Sequence, residues 1–98
     1  MSVPAASLQE VRDRIDALDA RIVPLLAERF ALARDAARFK SGTAEVPAPE
    51  RAARVIAHAR ALAEENGAPP EAVERVYRAL IDAMIDLELR LHDFAKKL

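Results

Sequence analysis

A regular row of apolar residues near the start of the chain constrains the fold more than any other feature of the sequence. Its members alternate between spacings of three and four residues, the pattern of a helix face buried against other helices: Leu8, Val11, Ile15, Leu18, Ile22 and Leu25. We call this set, with its later members, the N-terminal row. The next position is Arg29. Three apolar residues then continue the row, namely Leu32, Ala36 and Phe39. A guanidinium therefore stands where the pattern predicts a core residue.

Local signals predict that the N-terminal row lies on one long helix. Ser7 followed by Glu10 is a capping-box pattern, so the helix should begin near Leu8. It can continue to about residues 41–42, where the loop sequence SGTAEVPAPE begins. Pro24 lies inside this helix and should kink its axis, because proline removes one backbone hydrogen bond.

Two further helices complete an all-α fold. Pro49 suits the first turn of a second helix, which runs from about residue 50 to the stop signal at residues 66–67. A third helix is predicted from about residue 71 to near residue 96. The sequence has no strand pattern, so we predict one long N-terminal helix and two shorter ones in a single domain over residues 1–98.

The length of the first helix predicts a partner chain. About 32 residues extend roughly 48 Å as an α-helix. A compact domain of about 100 residues has a radius of gyration of only about 13 Å. The two remaining helices cannot wrap a rod of this length, and a heptad-like row is suited to packing along another long helix. We therefore expect a homodimer with intertwined helices.

Charge and composition narrow the classes of partner. The 15 basic and 16 acidic residues give a net charge of −1, which provides no field for binding nucleic acid or an anionic membrane. The chain has no cysteine, which excludes disulfides and thiolate metal sites. It has no basic start followed by an apolar run, and no apolar stretch as long as a membrane span. We expect a soluble, cytoplasmic protein.

Arg29 is not the sole charged residue on an apolar helix face of this sequence. The apolar face of the third helix includes Met84, and Glu88 lies on the same face one turn later. On a continuous first helix, Lys40 would return to within about 20° of the direction of Arg29. These charges could form a buried ion-pair network or line a pocket for a small anion, and spacing alone leaves both interpretations open.

Arg12 is too far from Lys40 to share a small ligand with it in one chain. On a continuous helix the two residues would be about 42 Å apart. If Arg12 binds a ligand, it serves the pocket of a partner chain. The alternative is a solvated arginine near the start of the helix.

The ordered set of basic residues resembles that of the all-helical chorismate mutases and of their relatives, the isochorismate pyruvate lyases of salicylate biosynthesis. The set consists of Arg12 in LQEVRDRIDALD, Arg29 in LLAERF, Lys40 in ARFK and Arg51 in VPAPER. The similarity extends from Leu8 to about Phe94. The stretches RFK, PAPER and AEENG look especially like the lyase branch.

The resemblance implies a three-helix chain that forms an intertwined dimer with two active sites. Arg29, together with Arg12 from the partner chain, would grip the two carboxylates of the substrate. Lys40 would face the ether oxygen, and Glu88 would face the same atom from the opposite side. Three more residues would contact the substrate or support its binding: Arg51, Ala52 and Met84.

The implied reaction converts chorismate to prephenate in the shikimate pathway of aromatic amino acid biosynthesis, with no metal or cofactor. One C–O bond breaks while one C–C bond forms, so the enzyme must hold a flexible dianion in its compact reactive conformer. It must also stabilise the negative charge that develops on the ether oxygen. Arginine suits carboxylates because its fork pairs bidentately, whereas lysine acts as a point charge.

Two alanines depart from the mutase pattern. Mutases of this class commonly carry Glu directly after the position of Arg51, and another acidic residue a few positions earlier, and the Glu binds the ring hydroxyl of the substrate. Ala52 and Ala48 stand at these positions. The loss of hydroxyl recognition favours the lyase branch or a mutase with relaxed recognition.

Glu88 departs from the family pattern in a different way, since members of both branches often carry Gln at this position. A carboxylate beside the departing enolate oxygen would repel it, so Glu88 should be effective only when protonated. We expect activity to fall as pH rises, and Glu88→Gln to flatten this dependence.

The leading prediction is therefore a chorismate mutase, with an isochorismate pyruvate lyase as the alternative within the enzyme class. An alternative of another class is a non-catalytic helical dimer or a chorismate-binding regulator. The joint presence of Arg12, Arg29, Lys40 and Arg51 argues against it, because packing alone does not require these residues. A DNA-binding domain is disfavoured by the charge balance.

Overall fold

Three helices form the chain. In the computed structural model, which describes residues 3–42, 46 and 48–97 and side chains as far as residue 93, they are α1 (Leu8–Ala37), α2 (Pro49–Glu65) and α3 (Pro70–Lys97). No strand occurs among these residues, and the all-α prediction is confirmed. With 28 residues, α3 is almost as long as α1, which has 30.

The predicted start of α1 is confirmed. The Ser7 hydroxyl accepts a hydrogen bond from the Glu10 amide at 3.1 Å, and the Glu10 carboxylate accepts one from the Ala6 amide at 2.9 Å. These contacts satisfy backbone donors that a helix start leaves without intrahelical partners. The helix then continues without interruption through Pro24.

The predicted end of α1 was wrong by about one turn. The helix ends at Ala37, and the amides of Arg38, Phe39 and Lys40 donate to carbonyls three residues back, at 3.1 to 3.2 Å. This tightening of the backbone ends the α-helical hydrogen-bond pattern. Lys40 therefore lies beyond the helix, and the angular argument that aligned it with Arg29 does not hold.

Helices α2 and α3 pack against each other as a hairpin. Pro49 occupies the first turn of α2 and Asn66 caps its end, as predicted. Gly67 follows with a φ of 72°, the left-handed conformation that glycine adopts without strain. The buried positions of this hairpin are mostly small or apolar: Ile56, Ala59, Ala63 and Met84, with Glu88 as the buried charged residue.

The chain divides into two compact units, Met1–Leu32 and Ala33–Leu98. In the first unit, the seven members of the N-terminal row are between 40% and 67% exposed. A row with this spacing has the pattern of a buried face, yet the described residues of its own unit leave it exposed. Among the described residues, no helix combines the length and apolar character needed to cross a membrane.

Candidate active site

A buried ion pair lies in the second unit. The Lys40 ammonium donates to the Glu88 carboxylate at 2.8 Å, and it lies 3.4 Å from the carbonyl oxygen of Val46. The Glu88 side chain is 6% exposed and that of Lys40 is 22% exposed. Lys40 is thus the residue through which solvent or a ligand can reach the pair.

Local structure fixes each partner of this pair. Glu88 lies on α3 one turn after Met84, and both residues are buried. Lys40 follows the tightened last turn of α1, and the carbonyl oxygen of Val46, which is only 2% exposed, lies beside its ammonium. Helix α3 and the turn that ends α1 therefore bring the two charges together.

The pair is suited to stabilising negative charge. An ammonium group in a largely buried setting interacts with an anion more strongly than it would in water. Burial of the Glu88 carboxylate is offset by its contact with Lys40, since a buried charge without a partner is costly. An anionic group that approaches Lys40 would compete with Glu88 for the ammonium.

Beside the α2–α3 hairpin runs an open, mainly apolar groove of about 660 Å³, a volume within the range of small-molecule sites. Ala48 and Ala52 line it from the first turns of α2, and Ile81 and Ile85 line it from α3. Arg51 lies next to Ala52 and is exposed. At its start on α2, the groove thus offers methyl groups where a hydroxyl-binding site would require polar atoms.

Arg12 and Arg29 lie on α1 in the first unit. Arg12 is exposed and has no ion pair or side-chain hydrogen bond within the described part of the chain. Arg29 is half-buried and has contacts of its own. Along α1 the two residues are about 25 Å apart, so one chain cannot bring both to the same small ligand.

Of the predicted site residues, the structure therefore brings Lys40 and Glu88 into direct contact and places Met84 beside Glu88. It places Arg51 and Ala52 at the start of α2, and Arg12 and Arg29 in a separate unit. Within residues 3–42, 46 and 48–93, no group of His, Asp and Glu side chains is arranged to hold a metal ion.

A charged cluster that the sequence pattern did not indicate joins the two helices of the hairpin. Arg60 on α2 donates to Glu74 on α3 at 2.8 Å, and Arg78 donates to the same carboxylate at 2.8 Å. The hydrogen bonds that Arg78 and Arg60 donate to Glu74 lower the pKa of its carboxyl group, and the bond that Arg60 donates to Glu74 raises the pKa of Arg60. The spacing of Glu74 and Arg78 signals an ion pair within α3, but nothing local identifies Arg60 as the second partner.

Comparisons with known proteins identify the family of this chain. The family model described as chorismate mutase type II matches residues 11–89. An isochorismate pyruvate lyase of Pseudomonas aeruginosa is 38% identical over 74 residues, which cover 76% of this chain and 73% of the relative. A chorismate mutase of Methanocaldococcus jannaschii is 32% identical over 76 residues, which cover 76% of this chain and 77% of the relative.

A third relative is much longer than this chain. A bifunctional chorismate mutase/prephenate dehydratase of Pseudomonas aeruginosa is 36% identical over 87 residues, which cover 83% of this chain but only 24% of the relative. The family resemblance predicted from the ordered basic residues is therefore confirmed. The chain belongs to the chorismate mutase type II family.

Proposed function

We propose that the protein is an enzyme that rearranges chorismate to prephenate. The observation that carries this proposal is the contact between Lys40 and Glu88, found in a chain of this family. The reaction is an isomerisation, so it needs no redox partner and no net proton transfer. Its requirements are a compact substrate conformer and stabilisation of charge on the ether oxygen.

Lys40 supplies the charge stabilisation in this proposal. Its ammonium is a hydrogen-bond donor in a largely buried setting, and it is the more accessible member of the pair. As the C–O bond breaks, the ether oxygen becomes negative and takes a hydrogen bond from Lys40. Glu88 holds the ammonium in place before the substrate arrives, and when protonated it donates a second hydrogen bond to the same oxygen.

The two carboxylates of the substrate are assigned to Arg29 and to Arg12 of the partner subunit. Support for this comes from the separation of about 25 Å along α1, which prevents both residues of one chain from binding one dianion. The exposed N-terminal row supports a second copy as the partner, because a long helix with such a face packs against another long helix. We therefore propose a homodimer with two shared sites.

Arg51, Ala52 and Met84 complete the proposed substrate pocket. Arg51 supports binding at the start of α2, while Ala52 and Met84 provide apolar contact. A polar ring hydroxyl would find no partner at Ala48 or Ala52. The pocket is therefore expected to bind the substrate mainly through its carboxylates and ether oxygen.

The second candidate is an isochorismate pyruvate lyase that yields salicylate and pyruvate. Two observations favour it: the 38% identity to a protein of that name, and the alanines at positions 48 and 52. In this reaction the C–O bond breaks and a ring hydrogen moves to the departing enolpyruvyl group. The same cation beside the ether oxygen serves both reactions.

Product identification separates these candidates. Purified protein is incubated separately with chorismate and with isochorismate, and the products are identified by chromatography. Prephenate from chorismate supports the mutase, and salicylate with pyruvate from isochorismate supports the lyase. Lys40→Ala and Arg29→Ala should abolish the activity, while Arg75→Ala, an exposed change on α3, should leave it intact.

If neither product forms, the non-catalytic alternative gains support. Thermal unfolding with a dicarboxylate transition-state mimic then tests for a chorismate-binding regulator, since a ligand that binds the native state raises the midpoint. The cytoplasmic location and the place in aromatic amino acid or salicylate biosynthesis stay predictions.

Mixing two inactive variants tests the shared site. A dimer of one Arg12→Ala chain and one Lys40→Ala chain has one site with both changes and one site with neither. After random exchange of subunits we expect about a quarter of the wild-type activity. A mixture no more active than its separate components would contradict the assignment of Arg12 to the partner's site.

A further inference from the structure

The start of α1 is fastened by a set of contacts that we call the N-terminal clamp: the side chains of Ser7, Glu10 and Arg14 with the backbone of Val3 and Ala6. One nitrogen of the Arg14 guanidinium donates to the Glu10 carboxylate at 2.5 Å, and another donates to the carbonyl oxygen of Val3. The second oxygen of Glu10 accepts from the Ala6 amide at 2.9 Å. The clamp thus ties the segment before α1 to the second turn of the helix.

Members of the clamp precede and follow Arg12 in the sequence, but none of them contacts its side chain. Glu10 and Arg14 are the flanking members, and at 100° per residue Arg14 points about 160° away from Arg12 around the helix. Arg12 is exposed and has no side-chain partner within the described residues. The clamp therefore restrains the backbone that carries Arg12 without occupying its guanidinium.

Such a restraint matters because helix ends fray. The first amides of a helix have no intrahelical acceptors, so the first turns open more readily than the middle. Arg12 lies in the second turn of α1, close to this end. A guanidinium that must reach across to a ligand binds more weakly when its backbone is mobile, since ordering it costs entropy on binding.

We propose that Arg14, acting with Glu10, is a positioning residue that presents Arg12 to the substrate in the partner's site. This inference rests on the proposed function, in which Arg12 binds one substrate carboxylate. Arg14 touches neither substrate nor the reacting atoms. Its contribution is to keep the first two turns of α1 formed before the substrate binds.

The chain offers a matched control. Arg21 lies two turns further along α1 on nearly the same side as Arg14, and it lines the same shallow groove with Ile15 and Leu18. It is exposed and makes no side-chain hydrogen bond or ion pair within the described residues. Arg14→Ala and Arg21→Ala therefore make the same chemical change, but only the first breaks the clamp.

Steady-state kinetics give the first test. They are measured at a protein concentration at which the wild type and all variants have the same oligomeric state. We expect Arg14→Ala to raise KM by roughly three- to tenfold with little change in kcat, because a cap and a partly exposed ion pair have modest effects. Arg21→Ala should leave both constants within about twofold of the wild type. Arg14→Lys should recover part of the loss, because lysine can replace one of the two contacts but not the fork.

A double-mutant cycle with Arg12 separates positioning from a general structural role. If Arg14 acts through Arg12, the Arg14→Ala change weakens binding of a dicarboxylate transition-state mimic in the wild-type background and has no further effect in an Arg12→Ala background, where binding can be titrated without turnover. An equal effect with and without Arg12, or an effect no larger than that of Arg21→Ala, overturns the inference. Hydrogen exchange of the amides at residues 8–13 should also speed up in Arg14→Ala and not in Arg21→Ala.

The two levels of proposal fail in different ways. A wild-type protein that converts neither chorismate nor isochorismate overturns the proposed function and the role of Arg14 with it. An active wild type with an Arg14→Ala variant of unchanged KM overturns only the positioning role.

Discussion

At the scale of single residues, the contact between Lys40 and Glu88 is the strongest constraint on the proposed chemistry. Glu88 is almost fully buried, whereas Lys40 keeps some exposure. Glu88 therefore depends on Lys40 more than Lys40 depends on Glu88. Without its cation the buried carboxylate would have no access to water, whereas the ammonium keeps some. Changes at the two positions should therefore differ in their effect on stability.

We expect Lys40→Met to lower the free energy of unfolding by roughly 2 to 4 kcal/mol, because it leaves the Glu88 carboxylate buried without a cation. Glu88→Gln should cost only about 1 kcal/mol, because the amide oxygen can still accept from Lys40. Urea denaturation of both variants measures the difference. The double change Lys40→Met with Glu88→Leu should recover part of the loss. A Glu88→Gln variant less stable than Lys40→Met would show that the carboxylate is not the more dependent partner.

The charge of Glu88 should limit activity. A Glu88 carboxylate beside the departing oxygen repels the negative charge that develops there, so we expect Glu88→Gln to raise kcat/KM. Asp86→Asn is the control, because it removes an exposed carboxylate from the same helix. A Glu88→Gln variant no more active than the wild type would rule out this role.

At the scale of elements, the α2–α3 hairpin depends on its turn and on the Arg60–Glu74–Arg78 cluster. Gly67 adopts a positive φ after the end of α2, and Glu74 receives hydrogen bonds from both helices. Gly67 lies at the turn, whereas Arg60 and Arg78 line the same groove as Ala48 and Ala52, so the turn and the cluster are both tested by their effect on stability.

Gly67→Ala should lower the free energy of unfolding by about 1 kcal/mol, because alanine is strained at a positive φ. A Cβ at Gly67 would meet no atom within 4 Å, so the cost comes from the backbone alone. Gly42 is the control, since it also has open space and its φ is not positive. Thermal unfolding of both alanine variants measures the difference, and equal midpoints would contradict the backbone explanation.

The contribution of Glu74 to stability should depend on pH. Folding lowers the pKa of Glu74 from its ordinary value of 4.5, so its stabilising effect is present above that value and is lost as pH falls through the lower folded value. Glu74→Gln should therefore destabilise the protein at neutral pH, and its difference from the wild type should shrink in acid. Denaturant midpoints at a series of pH values test this. Asp86→Asn should show a smaller difference, because Asp86 bonds one exposed arginine within its own helix.

Helix starts and stops were predictable because their causes lie within a few residues. Ser7 with Glu10, Pro49 at the start of α2 and Gly67 after its end all act through adjacent backbone groups. No glycine or proline precedes residue 42 near the end of α1. The shorter-range backbone hydrogen bonds after Ala37 therefore could not be predicted from a local residue signal. The predicted place of Lys40 on the helix was wrong for that reason.

The candidate site was predictable only in part. An inward Glu88 followed from the apolar spacing of α3, and its burial confirms that expectation. Its partner could not be identified from spacing, because Lys40 is 48 positions away and meets Glu88 only through the folded chain. The roles of Arg12, Arg29 and Arg51 came from the family resemblance and stay predictions.

At the scale of the whole molecule, the exposed N-terminal row is the feature that the proposed dimer explains. Leu18 is 50% exposed on this row, and Ala20 lies about 160° from Leu18 around α1, on the side opposite the row. Leu18→Glu should prevent association and abolish activity, because it places a charge in an apolar interface. Ala20→Glu should change neither. Sedimentation velocity with activity assays checks both, and an active Leu18→Glu monomer would exclude the shared site.

The same row bears on how a cell makes this protein. Helix α1 leaves the ribosome before α2 and α3, and in the proposed dimer its apolar side chains are covered when a second copy is met. Pairing of two copies is second order in their concentration, whereas chaperones and proteases act on each nascent chain singly. Slow synthesis would therefore lengthen the period in which the row is open to aggregation or degradation. We therefore expect the yield of active enzyme to increase more than in proportion to the rate of translation. This holds until pairing of two copies becomes faster than aggregation and degradation of single chains.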